Sequence, residues 1–270
     1  MPELPEVETV VRDLKKVIVG KTITAIDIID NRVVKDLTNS QFKRKLKNKT
    51  IKSVSRRAKG IIIAFASNDY LFVHLKMTGQ MIYGSRQTIK ETKVVFTLSD
   101  GNYLNYNDQR LFGWLIYTTD INSIGYIKTA GPEPLGRDFN AAFIRESIKT
   151  RTVPVKTLLL NQFFVAGIGN IYASEILHRA QISPLKSSRR LTAKECDRLY
   201  EQTVDVLKES IRYRGTSMRN YRDSKGRRGK FMNRIRVYNR EGQDCLCCED
   251  KVKRIVQSGR STFYCESCQG

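Results

Sequence analysis

Pro2 and Glu3 are the residues of this sequence best equipped to do chemistry. If Met1 is removed, Pro2 carries the terminal nitrogen, a secondary amine whose attack on an aldehyde-level carbon gives an iminium ion directly. An α-amino group has a pKa of ~8 against ~10.4 for a lysine side chain, so near neutral pH a useful fraction is already nucleophilic. The Glu3 carboxylate follows at once, close enough to shuttle protons for a bond-breaking step at a sugar carbon. The same stretch also suits an ordinary helix start. Pro5 fits a first helical position, Glu6 and Glu8 complement the dipole, and Val7, Val10, Val11, Leu14, Val17 and Ile18 form one apolar stripe. That account explains Pro5 and leaves Pro2 and Glu3 over.

A second chemical signature lies near the other end. Cys245 and Cys248 form one C-x2-C pair and Cys265 and Cys268 another, with sixteen residues between the pairs. Two such knuckles suit a tetrahedral four-thiolate zinc. A module of about forty residues cannot bury a sufficient core, so the metal is expected to be structural, with no open coordination position. Cys247 sits one residue from Cys245 and is a poor co-ligand within that knuckle. Together with Cys196, on a helix face, it is read as an ordinary thiol. Between the knuckles, Arg260 is flanked by Ser258, Ser261 and Thr262 at a hairpin tip that can reach a phosphate or remain a solvated turn.

Two further stretches offer contacts. Residues 161–172 join two helices through Gly167-Ile168-Gly169-Asn170, where glycines permit close backbone approach and Asn170 can cap the second helix and present N–H groups to a phosphate. No strand precedes it, which argues against a dinucleotide fingerprint. The segments His74-Leu75-Lys76-Met77-Thr78-Gly79 and Asp108-Gln109-Arg110-Leu111-Phe112-Gly113 sit at strand ends. Met77, Arg110 and Phe112 are residue types that wedge into a duplex beside an extruded base, although core packing and an ion pair would use them equally well.

The elements that must position these groups fall into three regions. After the first helix come strand-like runs at 22–29, 51–56, 61–65, 70–74, 93–98, 103–106 and 114–118, with turns at Asn68-Asp69 and Asp100-Gly101, which suggests an antiparallel sandwich or barrel. Gly131, Pro132, Pro134 and Gly136 mark a boundary. Helical periodicity follows at 139–149, 155–165, 171–180 and 193–213, the last opening on a Thr192/Glu195 capping box and ending at Gly215. Residues 215–230, rich in Gly, Ser and Arg, read as a mobile loop, and 231–270 form the terminal module. The expected organisation is α+β, with domains 1–130, 131–230 and 231–270.

Composition narrows the partner. Lys and Arg number 48 against 27 acids in 270 residues, a formal net charge of +21 that favours a polyanion. Nine basic residues and no acid lie between Gln41 and Lys59, and ten lie between Arg212 and Arg236 against the single acid Asp223. Two such tracts suggest a groove lined from both sides, with binding that weakens steeply with salt. No apolar run of about 18 residues or signal-like start is seen, which points to a soluble intracellular protein rather than a membrane-bound one.

Taken together, PELPEVE at Pro2, HLKMTG at His74, DQRLFGW at Asp108, GPEPLG at Gly131, VAGIGNIYASE at Val165 and GRSTFYCESCQ at Gly259 resemble the formamidopyrimidine-DNA glycosylase family along nearly the whole chain. Leu4 favours its purine-lesion branch over the endonuclease VIII type, which usually begins PEGPE. The resemblance implies an N-terminal β-sandwich, a helix-two-turns-helix segment around 155–180 and a zinc hairpin, with damaged duplex DNA gripped between domains. It implies that Pro2 attacks C1′ of the damaged nucleotide, that Glu3 handles the sugar's protons and that Lys59 lies near the lesion phosphate. Lys156, Asn170 and Arg260 would hold the backbone, Arg260 aiding later elimination, and Arg151 is carried over from its place before Lys156. The expected activity is removal of 8-oxoguanine or formamidopyrimidines followed by β,δ-elimination. One structural zinc is expected, with no catalytic metal or organic cofactor, in a monomer at a prokaryotic nucleoid.

The chain departs from the family at several positions. Gln109 and Leu111 stand where many members read DPRRFG, a histidine-bearing tract appears as Lys90-Glu91-Thr92-Lys93, and Asn161 replaces a common acid. The competing readings are an endonuclease VIII-like enzyme for oxidised pyrimidines, a non-catalytic protein for damaged DNA, and an RNA-binding zinc-ribbon protein. The last is disfavoured by the lack of a stacking aromatic cluster on one strand.

Overall fold

The computed structural model describes residues 1–85, 88–217 and 221–270. It forms two compact units, one of residues 1–128 with 213–232 and the other of 129–212 with 233–270.

In the first unit, helix α1 (Leu4–Ile18) precedes β1 (Ile23–Ile28), α2 (Asn39–Leu46), β2 (Ile51–Arg57), β3 (Gly60–Phe65), β4 (Tyr70–His74), β5 (Gln80–Gly84), β6 (Thr92–Leu98), β7 (Tyr103–Asn107), β8 (Trp114–Thr118) and the short α3 (Gly125–Lys128). The strands make two four-stranded antiparallel sheets, ordered β1-β6-β7-β5 and β2-β3-β4-β8. Alternation along the strands sends Ile26, Phe96 and Leu104 from one sheet and Val54, Ile61, Ile63, Leu71 and Val73 from the other into a shared core with Val7, Val10 and Leu14 of α1. The outer face of the second sheet carries Phe72, Ile62, Trp114 and Ile116, covered by Ile124, Ile127 and Tyr126.

Three elements beyond the sequence expectation appear here, α2, β5 and the short α3. Helix α2 has only Phe42 and Leu46 as buried anchors, but a Thr38/Gln41 capping box starts it. Strand β5 pairs with β7 from Gln80↔Asn107 to Gly84↔Tyr103.

The second unit holds α4 (Ala141–Ile148), α5 (Val155–Leu160), α6 (Asn170–Arg179), α7 (Ala193–Arg212), the hairpin β9 (Lys253–Gln257) and β10 (Arg260–Tyr264), and α8 (Glu266–Gln269). Phe139, Phe143, Phe164 and Tyr200 pack as an aromatic cluster among the helices. Helix α5 stops at Leu160, five residues before the end that periodicity predicts. Gln162 explains the stop: its amide donates to the carbonyls of Leu160 (3.1 Å) and Ile168 (2.7 Å), and its Oε1 accepts the Gly167 N–H at 2.9 Å. One side chain thereby satisfies backbone that a longer helix would have used. Among the described residues no helix is long and apolar enough to cross a membrane.

Candidate active site

Glu3 is both a candidate catalyst and the cap of α1. Its side chain accepts the N–H of Glu6, while the Glu6 carboxylate accepts the Glu3 N–H at 2.8 Å. Pro2 and Glu3 are buried, Glu3 being 4% exposed. The other Glu6 oxygen accepts the N–H of Thr216 at 2.6 Å, and the Tyr221 hydroxyl donates to the Glu6 carbonyl at 3.3 Å. Gly215, at φ +77°, passes so close that a Cβ there would stand 2.7 Å from Glu6 Oε1. The start of the chain is therefore held by its own helix and by the 213–232 segment.

That segment is more structured than a Gly, Ser and Arg composition suggests. Arg214 bridges Asp13 and Asp223, and Asp223 also accepts the N–H groups of Lys225 and Arg227, each at 2.9 Å. Ser224 receives the Tyr83 N–H at 3.0 Å. Met218, Arg219 and Asn220 lie outside the described residues.

Lys59 occupies the β2–β3 turn and is 5% exposed. Ala58 before it takes a left-handed conformation (φ 52°), and the Ala58 carbonyl accepts from Arg56, which pairs through Nε with Glu8 of α1 at 3.0 Å. The Lys59 N–H donates to the Tyr126 hydroxyl at 3.1 Å. Tyr126 stands edge-on to His74, which stacks on Trp114 with 5.5 Å between centroids. His74 Nδ1 accepts the Lys76 N–H, which puts the proton of the neutral ring on Nε2. Burial, with the Lys76 and Lys59 cations, pushes the His74 pKa down to about 3. The Lys59 backbone is thus tied to an uncharged aromatic cluster. Gly60 is required there, since a Cβ would meet the Phe72 ring at 2.2 Å.

The three wedge candidates sit on two loops tied by one carboxylate. Asp108, fully buried, accepts from the Thr78 hydroxyl, from Tyr106 at 3.2 Å, and from the N–H groups of Arg110 (3.2 Å) and Gly113 (2.8 Å). Thr78 in turn accepts the Arg110 N–H at 3.0 Å, joining the Met77 loop to the Arg110–Phe112 loop. Met77 is 41% and Phe112 50% exposed, and the Arg110 guanidinium lies 4.4 Å from the centre of the Phe112 ring. Leu111, by contrast, turns back at φ 58° to pack against the core. Large apolar side chains presented to solvent by a rigid base suit insertion between bases. A cavity of about 260 Å³ beside them is lined by Thr78, Gln80, Glu91, Asn107, Gln109 and Arg222.

In the second unit Asn170 differs from its sequence expectation. Gly169 is the cap residue of α6 and makes no side-chain cap bond, whereas Asn170 Nδ2 donates to the Ser261 carbonyl at 2.9 Å. Its Oδ1 accepts from Lys156 Nζ at 2.7 Å, and Lys156 also donates to the Ser261 carbonyl (3.0 Å) and Thr262 Oγ1 (2.7 Å). Lys156 is 1% exposed. The family resemblance implies that Lys156, Asn170 and Arg260 hold the DNA backbone. The structure brings Lys156 and Asn170 to the hairpin strand bearing Arg260, where they anchor that strand, and leaves Arg260 exposed at its tip. Arg151 lies over the Phe164 ring at 5.4 Å. Asn161, the replaced acid, uses Oδ1 to accept the Phe163 N–H at 2.9 Å.

The four paired cysteines converge as their spacing predicts. Sulfur separations are 3.8 Å for Cys245–Cys268 and 3.4 Å for both Cys248–Cys265 and Cys248–Cys268. Zinc–sulfur bonds of ~2.3 Å at tetrahedral angles place sulfurs about 3.8 Å apart, so the donor set fits a structural zinc ion. Glu175 of α6 accepts the N–H groups of Arg236 (2.8 Å), Val237 (3.0 Å) and Tyr238 (2.9 Å), fixing the chain where it enters this module. Burial pushes the Glu175 carboxyl up, against those three donors.

The anchoring roles of Glu6 and Glu175 and the organising role of Asp108 escaped the sequence reading, which gave Glu6 only to the helix dipole. Only Glu6 carried a usable signal, its capping-box spacing from Glu3. Parts of the first basic tract are also spent internally, Lys49 on Asp69 (2.6 Å) and Arg56 on Glu8.

Residues 1–115 match the formamidopyrimidine-DNA glycosylase N-terminal domain, and residues 130–222 match the H2TH domain of the same enzymes. The formamidopyrimidine-DNA glycosylase of Pelotomaculum thermopropionicum is 41% identical, the alignment covering 100% of this chain and 99% of that one. Two Lactococcus lactis Fpg structures, one of a G226P mutant with Fapy-dG-containing DNA and one with abasic-site DNA, each superpose with a TM-score of 0.92 at 34% identity over 99% of both chains. With a capped Pro2–Glu3 start, the Asp108-tied loops and the four-cysteine hairpin all in place, the chain belongs to the formamidopyrimidine-DNA glycosylase family.

Proposed function

We propose that this protein removes oxidised purines, 8-oxoguanine and formamidopyrimidines, from duplex DNA and then cuts the abasic strand by β,δ-elimination. The observation that carries this reading is the doubly anchored Pro2–Glu3 start, in a chain similar end to end to a protein solved with Fapy-dG and with abasic-site DNA. With Met1 removed, the Pro2 nitrogen attacks C1′ of the damaged nucleotide as the bond from C1′ to the base breaks, and opening of the C1′–O4′ bond, with a proton delivered to O4′, then gives the iminium. Glu3, oriented by its cap, moves the protons of the sugar. The iminium at C1′ acidifies the C2′ hydrogen. Loss of that proton expels the 3′ phosphate, and a second elimination expels the 5′ phosphate.

Lys59 is assigned to the lesion phosphate. Met77, Arg110 and Phe112 fill the space left by the extruded base. Arg260, at the hairpin tip, is assigned to the backbone and the second elimination, and Arg151, Lys156 and Asn170 to the surface and support of the DNA-binding helices. Cys245, Cys248, Cys265 and Cys268 hold one structural zinc, which supplies folding energy to the hairpin and no step of the reaction. The protein is proposed to act as a monomer at the prokaryotic nucleoid.

Borohydride reduction tests the covalent step. A trapped adduct is expected with 8-oxoguanine or abasic duplex and is expected to vanish when Met1 is retained. Intact-mass measurement reports whether Met1 is present. A protein with a free Pro2 amine that binds lesion DNA without forming any adduct would be a recognition protein and not this enzyme.

A further inference from the structure

His178 is the feature that the reaction does not use. It lies on α6, 2% exposed, with Nε2 3.5 Å from the sulfur of Cys245, while its Nδ1 has no hydrogen-bond partner. Cys247, excluded by its spacing as a partner of Cys245 within one knuckle, is brought to the same place by the fold. The ligand atoms of His178, Cys245 and Cys247 all lie within 4.8 Å of one another.

We propose that these three residues form a second site for a d10 thiophilic cation, zinc or its softer congener cadmium, with Cys245 as a thiolate shared with the four-cysteine centre. The inference rests on that centre holding zinc. A tetrahedral ion with bonds of ~2.3 Å to sulfur and ~2.0 Å to nitrogen places those two donors about 3.5 Å apart, which is the His178–Cys245 separation. A zinc-bound thiolate retains lone pairs, so Cys245 can serve two ions at once. Borderline-soft imidazole and soft thiolates select this class of ion over magnesium or calcium.

The surroundings make the second site the weaker one. Arg236 Nη1 lies 3.7 Å from the Cys247 sulfur and must swing aside. On binding, the Cys247 thiol releases its proton to solvent, and ligation through Nε2 requires the proton of the neutral His178 ring to sit on the unpartnered Nδ1, a buried donor left unsatisfied. Access is available, because Cys247 is exposed and lines a cavity of about 320 Å³ with Arg179, Glu209, Arg234 and Arg236.

Native mass spectrometry of the full chain, titrated with zinc against a competing chelator, reads the stoichiometry directly. One ion is expected at equimolar zinc and two at excess, with the second at least tenfold weaker in both Cys247→Ser and His178→Gln, which keep the first. Cadmium-113 NMR of the loaded protein is expected to show two mutually coupled resonances, the mark of a shared sulfur. A single ion at hundredfold excess, or a second ion held equally well by either variant, overturns the proposal. Failure to bind even the first ion would instead refute the four-cysteine zinc centre.

Discussion

Lys156→Met tests the claim that a buried ammonium anchors the hairpin. The substitution preserves the length of the side chain and removes three donated hydrogen bonds, to Asn170 Oδ1, the Ser261 carbonyl and Thr262 Oγ1. Hydrogen bonds to a charged group are worth about 1.5–3 kcal/mol each, a gross loss of about 5–9 kcal/mol. Against it stands relief from desolvating the ammonium, several kcal/mol in itself. The expected net destabilisation of the hairpin is therefore about 2–4 kcal/mol. Zinc release to a chromophoric chelator along a urea titration measures it where it acts. With a urea slope of about 1–3 kcal/mol per molar, the release midpoint should fall by about 1–2 M. Thr262→Val removes one acceptor while keeping volume and should cost about 1 kcal/mol. In the double mutant the two effects should fall short of adding by at least about 0.5 kcal/mol, since they share a bond. Full additivity, or a release midpoint unmoved by Lys156→Met, would refute the anchoring role.

Other outcomes follow from the same structure. The folded pKa of His74, about 3, lies below the ordinary value of 6.5, so between these pH values the unfolded chain binds the extra proton. Its neutral burial contributes no pH dependence above 6.5, and stability is lost as pH falls toward 3, by about 2 kcal/mol between pH 6.5 and 5. Denaturant midpoints measured across that range should fall less steeply for His74→Gln. Glu175→Gln turns an NH2 group toward one of three backbone donors and should destabilise the zinc module by about 2–3 kcal/mol, read as earlier zinc release. Asp108→Asn should lower the melting temperature, at a cost of about 1–3 kcal/mol, and weaken binding to a lesion duplex, because an NH2 group then faces either the Gly113 N–H or the Thr78 and Arg110 donors and one side of the tie between the loops is lost.

What the sequence disclosed depended on whether one residue's partners lay nearby. Strands β2, β3, β4 and β6 sit where short β-type runs between turn residues put them, and the cysteine pairs name their own ligand set. Helix α2 escaped notice because two anchors, Phe42 and Leu46, in a run of cations carry little periodicity. The burial of Lys156 could be suspected only from its apolar neighbours Val155, Leu158 and Leu159, since its three acceptors lie 14 to 106 residues away. His178 was invisible for the same reason: nothing near it in sequence announces a sulfur 67 residues downstream.

The bond from Thr216 to Glu6 spans 210 residues. On a ribosome adding ~5–20 residues per second, the amino-terminal sheets, complete once β8 has been made, wait about 5–20 s for the strap that finishes their unit. During that interval the carboxylate of Glu6 lacks the Thr216 N–H, and Asp13 waits for Arg214. Fragments cut near residue 128 should therefore be less stable than the sandwich within the whole chain. The tie that completes the setting of the Pro2–Glu3 start is thus left until nearly the last fifth of translation, and an abortive nascent chain carries that start without it.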